Sequence, residues 1–385
     1  MKFSVQTRQS RLILAGLALM ACSATWASLS QGDSPEVREI KGHVARQAGR
    51  IQSIEVSYKL ETKSDLKPAQ IRALSDFRNQ LFLPKDEWTE AFKGEKRYRR
   101  QIQPEKVEWL AETDDYGLVP PQDVDPKAPR AVQENQKNMK DQYDRAGAGM
   151  KAQEARGVPR RRKEAGVLDL MQRDVTRGFN GRTLWMRRPR TERVNEFQVR
   201  PVKKNAHWFG ISSYLSGVGL QPADPTSEGN PVQKAQGMFR LADWFKHRTY
   251  EVEKTEAIDG STCVVLRGSL NSLVPTSLLT GELGDRIWLD RDHGWVLRKR
   301  EMTKSGRVLM RWENAGLREV EPGLWLPTIV RHDRFAEDAP PEWQGKPVVS
   351  EEVRVKSIEV NRVPDDRFDF VPEKEDVIED LRGNL

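Results

Sequence analysis

The stretch from Asp285 to Phe335 limits the choice of fold more than any other. It reads DRIWLDRDHGWVLRKREMTKSGRVLMRWENAGLREVEPGLWLPTIVRHDRF, with turn signals at Asp292-His293-Gly294, Ser305-Gly306 and Pro322-Gly323. Between these breaks apolar and polar residues alternate. Val308, Met310 and Trp312 point one way, and Arg307, Leu309, Arg311 and Glu313 the other. Period-two alternation bounded by glycine-containing turns is the pattern of consecutive antiparallel strands with one buried face. Such a face needs a layer of helices against it, or something to bind.

The rest of the chain supplies more strands and a few helices. Ser34-Pro35-Glu36 opens a helix, with Ser34 as cap and Pro35 at the first helical position. Val37, Ile40, Val44, Ala48 and Ile51 then form one apolar stripe. The period changes to two over Ile54, Val56, Tyr58 and Leu60, which predicts a strand. A second helix is expected after Pro68, with Ile71, Leu74, Phe77 and Leu81 on one side. Trp88 to Gln103 reads as a hairpin turning at Lys93-Gly94, and Tyr250 to Ser269 as another turning at Asp259-Gly260. Asn180-Gly181 lies between two strand patterns, a strong hairpin signal. A helical turn is expected within 208–223 and a short helix from Met238 to Phe245. Val348 to Val363 predicts a late strand, and Asp366 to Pro372 a short terminal one. Helices beside a large antiparallel sheet make an α+β fold, and a sheet this large curls. The expected form is a curled, half-open barrel covered by helices.

Residues 114–164 differ in character. They hold several prolines, a Gly-Ala-Gly and many charges of both signs, which predicts a solvated helix or a flexible insertion in a single domain spanning 28–385. Arg160-Arg161-Arg162-Lys163 closes this segment. It is either a linker or a contact for an anionic membrane surface.

The first 27 residues read as a secretory signal: Lys2, Arg8 and Arg11, an apolar run from Leu12 to Ala21, and a cleavage site after Ala27. Leu19-Met20-Ala21-Cys22 supports a second reading, in which Cys22 is lipidated and the protein is an outer-membrane lipoprotein. Either reading predicts an exported, periplasmic location. Removing the three signal-peptide cations from a net charge of +7 leaves about +4, an excess too small to argue for nucleic acid. The two cysteines, Cys22 and Cys263, cannot form a disulfide framework, and Cys263 within a strand pattern reads as a small buried hydrophobe.

No motif for enzymatic chemistry or for a cofactor is present. The five histidines, at 43, 207, 247, 293 and 332, show no metal-ligand spacing. There is no Cys-x-x-Cys, no phosphate-cradling glycine loop and no Gly-x-Ser-x-Gly elbow. Ser64-Asp65-Leu66-Lys67 has Ser-x-x-Lys spacing without its companion motifs. The paired aspartates 290/292 and 365/366 flank turns, where Asp is ordinary. The tryptophans on strand patterns either line a ligand site or pack against helices.

Several motifs, taken in order, resemble the LolA/LolB-like superfamily of bacterial lipoprotein carriers, which includes the RseB N-terminal domain. They are a helix running into Ile51-Gln52-Ser53-Ile54-Glu55-Val56-Ser57-Tyr58, the hairpin Phe179-Asn180-Gly181-Arg182-Thr183-Leu184-Trp185, the strand Asp285-Arg286-Ile287-Trp288-Leu289-Asp290 followed by Gly294-Trp295-Val296, and the closing segment Phe368-Asp369-Phe370-Val371-Pro372. The resemblance covers roughly 34–109 and 168–380. It implies a non-enzymatic envelope protein that holds a lipid or a lipoprotein's acyl chain in an apolar cavity, or a sensor using the same fold to bind an envelope protein partner. The residues expected to line that cavity are Ile54, Val56, Tyr58, Phe92, Trp185, Trp288, Val296, Trp312 and Trp325.

Overall fold

The structure is a computed structural model. It describes residues 32–66, 74, 85–102, twelve positions between 133 and 152, 174–189, 195–200, 212–221, 240–246, 248–269, 283–337, 339–369, 371–374 and 376–380. The strands are β1 (Ser53–Lys63), β2 (Lys85–Lys93), β3 (Lys96–Ile102), β4 (Asp174–Phe179), β5 (Leu184–Pro189), β6 (Asn195–Arg200), β7 (Tyr250–Ile258), β8 (Ser261–Ser269), β9 (Leu283–Asp290), β10 (Val296–Lys304), β11 (Arg307–Glu321), β12 (Leu324–Arg334), β13 (Val349–Val360) and β14 (Val377–Asp380). The helices α1 (Pro35–Arg50), α2 (Ser213–Gly217) and α3 (Leu241–Lys246) lie against them.

All fourteen strands form one open sheet in the order β14-β6-β5-β4-β3-β2-β1-β13-β12-β11-β10-β9-β8-β7. Two meanders run outward from the central β1/β13 pair, which brings an early and a late strand together. Every described pairing is antiparallel except β14 with β6. The expected α+β class with a large, unclosed antiparallel sheet is what the chain forms.

Local chemistry explains the turns. Asp259-Gly260 and Ser305-Gly306 both have positive φ at both positions, as a two-residue hairpin matched to strand twist requires. At Asn180-Gly181 the turn is longer: Asn180 Oδ1 accepts from the backbone N–H groups of Arg182 and Thr183. Gly178, on the strand before it, faces the Trp185 ring so closely that a Cβ would sit 2.1 Å from it.

Three expectations need comment. The expected strand Asp366–Pro372 does not form at its described positions. Pro364 and two aspartates start a single 3-10 turn at Asp365–Phe368 that drives Phe368 fully into the core, and the terminal strand comes later, at Val377–Asp380. Strand β6 went unrecognised despite its alternating Glu196-Phe197-Gln198-Val199-Arg200. The helix expected after Pro68 lies outside the described residues except for Leu74, which is a bend packed with Val348 and Val349, and the run Arg160–Lys163 and the signal region with Cys22 lie outside them altogether. β3 and β4 pair directly although residues 103–173 separate them in sequence, and the described positions among those residues are helical.

The helices cover one face, called here the inner face. Helix α1 starts at the expected cap: Ser34 Oγ accepts from Val37 N–H at 3.2 Å, and Pro35 occupies the first turn. Its stripe of Val37, Ile40, Val44 and Ala48 packs with α3 onto Val264, Leu266, Ile287, Leu289 and Leu297. A second cluster lies under α2, with Ile54, Val56, Tyr58, Leu60 and Phe92 from β1 and β2 and Val330, Val353 and Val360 from β12 and β13. Among the described residues no helix is long and apolar enough to cross a membrane.

Candidate functional site

The inner face under α2 is where the expected cavity residues gather. Ile54, Val56 and Tyr58 alternate along β1, and register places Phe92 opposite Ile54 and Trp88 opposite Tyr58. Each of Ile54, Val56 and Tyr58 is buried to within 1% of complete. Trp312 joins them from β11, with its ring stacked on His332 at 4.6 Å and 5°. Val296 and Trp325 lie at the mouth, where they line a small cavity with Val44, Ala48, Val218 and Leu241. Trp185 and Trp288 are elsewhere. Trp185 packs on Phe197 and Val199 of the outer face and donates its indole N–H to the Phe368 carbonyl at 3.1 Å. Trp288 packs on Cys263 and Val265, alternating away from the inward Ile287 and Leu289, and donates to Glu256. One-residue alternation along β9 decides this, and the sequence pattern left the inward side of Ile287-Trp288-Leu289 open.

Helix α2 fills the centre of the face. It has only five residues, yet Tyr214, Leu215, Ser216 and Gly217 are all buried. Gly217 lies against Val330 so tightly that an added Cβ would be 2.3 Å from the valine Cγ1, with Trp312 next nearest. The rest of its attachment is polar. Ser212 caps the helix through Leu215 N–H and donates its hydroxyl to Glu90 Oε2, which also accepts from Tyr58 at 3.1 Å. Ser213 donates to Glu351 at 3.5 Å, Tyr214 to the Pro327 carbonyl at 3.0 Å, and Asn314 Nδ2 to the Gly217 carbonyl at 3.0 Å. Burial, reinforced by the Glu90 charge, raises the Tyr58 pKa well above its ordinary value and keeps the hydroxyl a donor. Burial also works against the Glu351 charge, but His332 and Arg334 outweigh it and hold the carboxyl at about 2.

With α2 seated, little space is left. The cavity between α1, α2, α3 and the β9–β10 and β11–β12 turns is about 50 Å³. Pockets for small molecules are typically about 300–1,000 Å³. A wider groove of about 970 Å³ runs along the β7 edge, but charged residues such as Glu36, Glu251, Arg267 and Asp285 line it. It does not suit an acyl chain.

Two clusters invite a catalytic reading. Ser261, His293 and Asp290 converge, but Ser261 Oγ and Asp290 Oδ2 both meet the same ring nitrogen, His293 Nδ1, at 3.2 and 3.0 Å. A Ser-His-Asp relay needs them on opposite nitrogens. Asp290 is further committed to Arg298 and to the backbone N–H groups of its own turn. Cys263 is buried, and burial together with Asp290 pushes its thiol up to about 11, opposite to what a nucleophile needs. Among the described residues no group of three or more His, Cys, Asp or Glu side chains is placed to hold a metal.

No family model matches the chain, and no curated protein matches it. Comparison with solved structures finds likenesses of fold. A DUF1329 family protein from Desulfovibrio piger is 10% identical with a TM-score of 0.39, the match covering 87% of this chain and 98% of that one. A LolA superfamily protein from Nitrosomonas europaea is 12% identical with a TM-score of 0.35, covering 85% and 96%. The lipoprotein LppX from Mycobacterium tuberculosis is 8% identical with a TM-score of 0.27, covering 86% and 99%.

Proposed function

We propose that this is an exported envelope protein that binds the acyl chain of a lipid or lipoprotein on its inner face, with α2 occupying the place the chain takes. The observation that carries this reading is the contrast between seat and plug. The seat is a broad apolar floor of Ile54, Val56, Tyr58, Phe92, Val330 and Val353. The plug is a five-residue helix fixed by side-chain hydrogen bonds to two carboxylates and a carbonyl. An isolated helix this short has no stability of its own. An acyl chain would replace apolar contact with apolar contact, at about 25 cal/mol per Å² of surface removed from water. The polar groups at the plug's edge regain partners in water or in the ligand's head.

Native mass spectrometry of the mature protein from its own envelope, followed by organic extraction, tests the proposal. A co-purifying lipid or acylated peptide is the expected result. A protein that is empty as isolated, and stays empty after incubation with diacyl lipids and lipopeptides, would defeat it.

A further inference from the structure

Two neutral donors meet α2 where it touches the floor at Gly217. The first is Trp312 on β11. Register sets Arg300 of β10 and His332 of β12 opposite it, one on each side. The His332 ring stacks on the indole with centroids 4.6 Å apart, and the Arg300 guanidinium lies over it at 5.8 Å. Neighbours on both sides hold the indole in one orientation. Its pyrrole edge faces α2: Cδ1, the atom bonded to Nε1, lies 3.5 Å from the place a Cβ would take at Gly217. Trp312 is only 4% exposed, and its Nε1–H has no acceptor among the described residues.

The second donor is Asn314, two residues on and therefore on the same face of β11. It is buried, and its Nδ2 donates to the Gly217 carbonyl at 3.0 Å and to the Leu297 carbonyl at 2.7 Å. Helix α2 thus satisfies one donor of this pair and leaves the other unmet. A buried donor without an acceptor carries its full desolvation penalty. The charges nearest the pair are committed elsewhere: Arg300 holds Asp285 with two bonds, and His332 faces Glu351 through Nδ1. Two neutral N–H groups side by side match a neutral oxygen with two lone pairs, which is what a carbonyl supplies. The Gly217 carbonyl already stands in for such an oxygen at Asn314.

We infer that Trp312 Nε1 and Asn314 Nδ2 form a subsite for the carbonyl oxygen of an acyl linkage, which takes the place of the Gly217 carbonyl when α2 lifts. This rests on the lipid reading above, and it narrows the ligand to one whose chain is attached through a carbonyl rather than an ether.

The test is titration calorimetry of the mature protein with diheptanoyl phosphatidylcholine, below its micelle concentration, and with its diheptyl ether counterpart. The ether is the more apolar of the two, so apolar burial alone favours it. Wild type should instead prefer the ester by about fivefold or more, the worth of one or two net hydrogen bonds. Trp312→Phe removes the N–H and keeps a ring beside His332, and it should bring the ratio to one or below. The ratio is the readout because Trp312 also belongs to the floor. Diacylated and dialkylated forms of a lipopeptide, titrated alike, identify the source of the carbonyl. An ester preference in the lipopeptide series alone assigns it to a lipoprotein, and one in the phospholipid series alone to a membrane lipid; either keeps the subsite. A wild type with no ester preference in either series, or a Trp312→Phe protein that retains one, overturns the subsite and leaves the lipid reading standing. If the phenylalanine variant does not fold, benzothienylalanine incorporated at position 312 replaces it. That residue has the shape of tryptophan without the N–H, so an undiminished ester preference there also overturns the inference. If none of the four probes binds, the lipid reading and the subsite fall together.

Discussion

The inner face is covered twice, by different means. Over β7–β10 the cover is α1, a 16-residue helix with a continuous apolar stripe, and the Asp285–Arg300 pair beneath it is closely bonded. Arg300 holds Asp285 with two bonds of 2.9 and 3.0 Å, and Tyr250 and Trp244 donate to the same carboxylate. Although burial opposes its charge, Asp285 raises the Arg300 pKa above the usual arginine value. Over β1, β2 and β11–β13 the cover is α2, short and attached by side-chain hydrogen bonds. Around it Trp88 Nε1, Trp312 Nε1 and His332 Nε2 are buried without a partner among the described residues. Buried polar groups are normally satisfied, so such a group calls for an explanation. On the lipid reading proposed above, the first region stays closed and the second offers contacts that a ligand replaces.

The largest effect should come from breaking the closed region. Asp285→Ala strands a buried guanidinium and should cost about 3–5 kcal/mol, the usual penalty for removing one partner of a buried ion pair. Urea unfolding measures it. A loss below about 1 kcal/mol would mean that the network is not the anchor described.

Acid should act next, through α2. The Glu351 carboxyl, at about 2 in the folded protein against an ordinary 4.5, is lowered by folding. Its contribution is present in full above the ordinary value and is lost as pH falls through the folded one. The shift corresponds to something on the order of 3 kcal/mol, removed between about pH 4.5 and 2. Stability against pH should flatten over that window in Glu351→Gln. An equally steep decline in the variant would assign the acid sensitivity to other carboxylates.

A smaller and more selective change is Gly217→Ala. In an ordinary helix the substitution gains up to about 1 kcal/mol. Here the methyl meets Val330, and overpacking of this kind costs about 1–3 kcal/mol. The helix should lift, so exchange of the Leu215–Leu220 amides should quicken and lipid should bind faster, with α1 unaffected. Unchanged exchange would show the contact to be soft.

The smallest expected change in lipid affinity separates the two sets of tryptophans. Trp185→Ala and Trp288→Ala should lower Tm through lost outer-face packing while leaving lipid affinity within about twofold, whereas Phe92→Ala should lower both. Loss of lipid affinity in Trp288→Ala with Tm retained would move the site to the outer face.

Much of this division was legible in the sequence, for definable reasons. The hairpins at Lys93-Gly94, Asp259-Gly260 and Ser305-Gly306 announced themselves because each turn places a glycine at positive φ. The α1 cap and stripe were equally local. The side taken by Trp185 and Trp288 was not, because an apolar run such as Ile287-Trp288-Leu289 has no polar partner to set its phase. Nor could spacing show that Arg99 meets Arg177. Their strands are separated by residues 103–173, and only the β3–β4 register brings them together. The role of α2 was hidden for a similar reason. Ser212 and Ser213 read as loop serines until the sheet places Glu90 and Glu351 beneath them.

The most direct test of the central claim is hydrogen exchange followed by mass spectrometry, with and without a bound diacyl lipid. If α2 gives way to the acyl chain, peptides spanning 212–221 lose protection on binding while those from α1 and β9–β10 keep theirs. Lipid bound with 212–221 still fully protected would contradict the account and place the ligand away from the α2 seat.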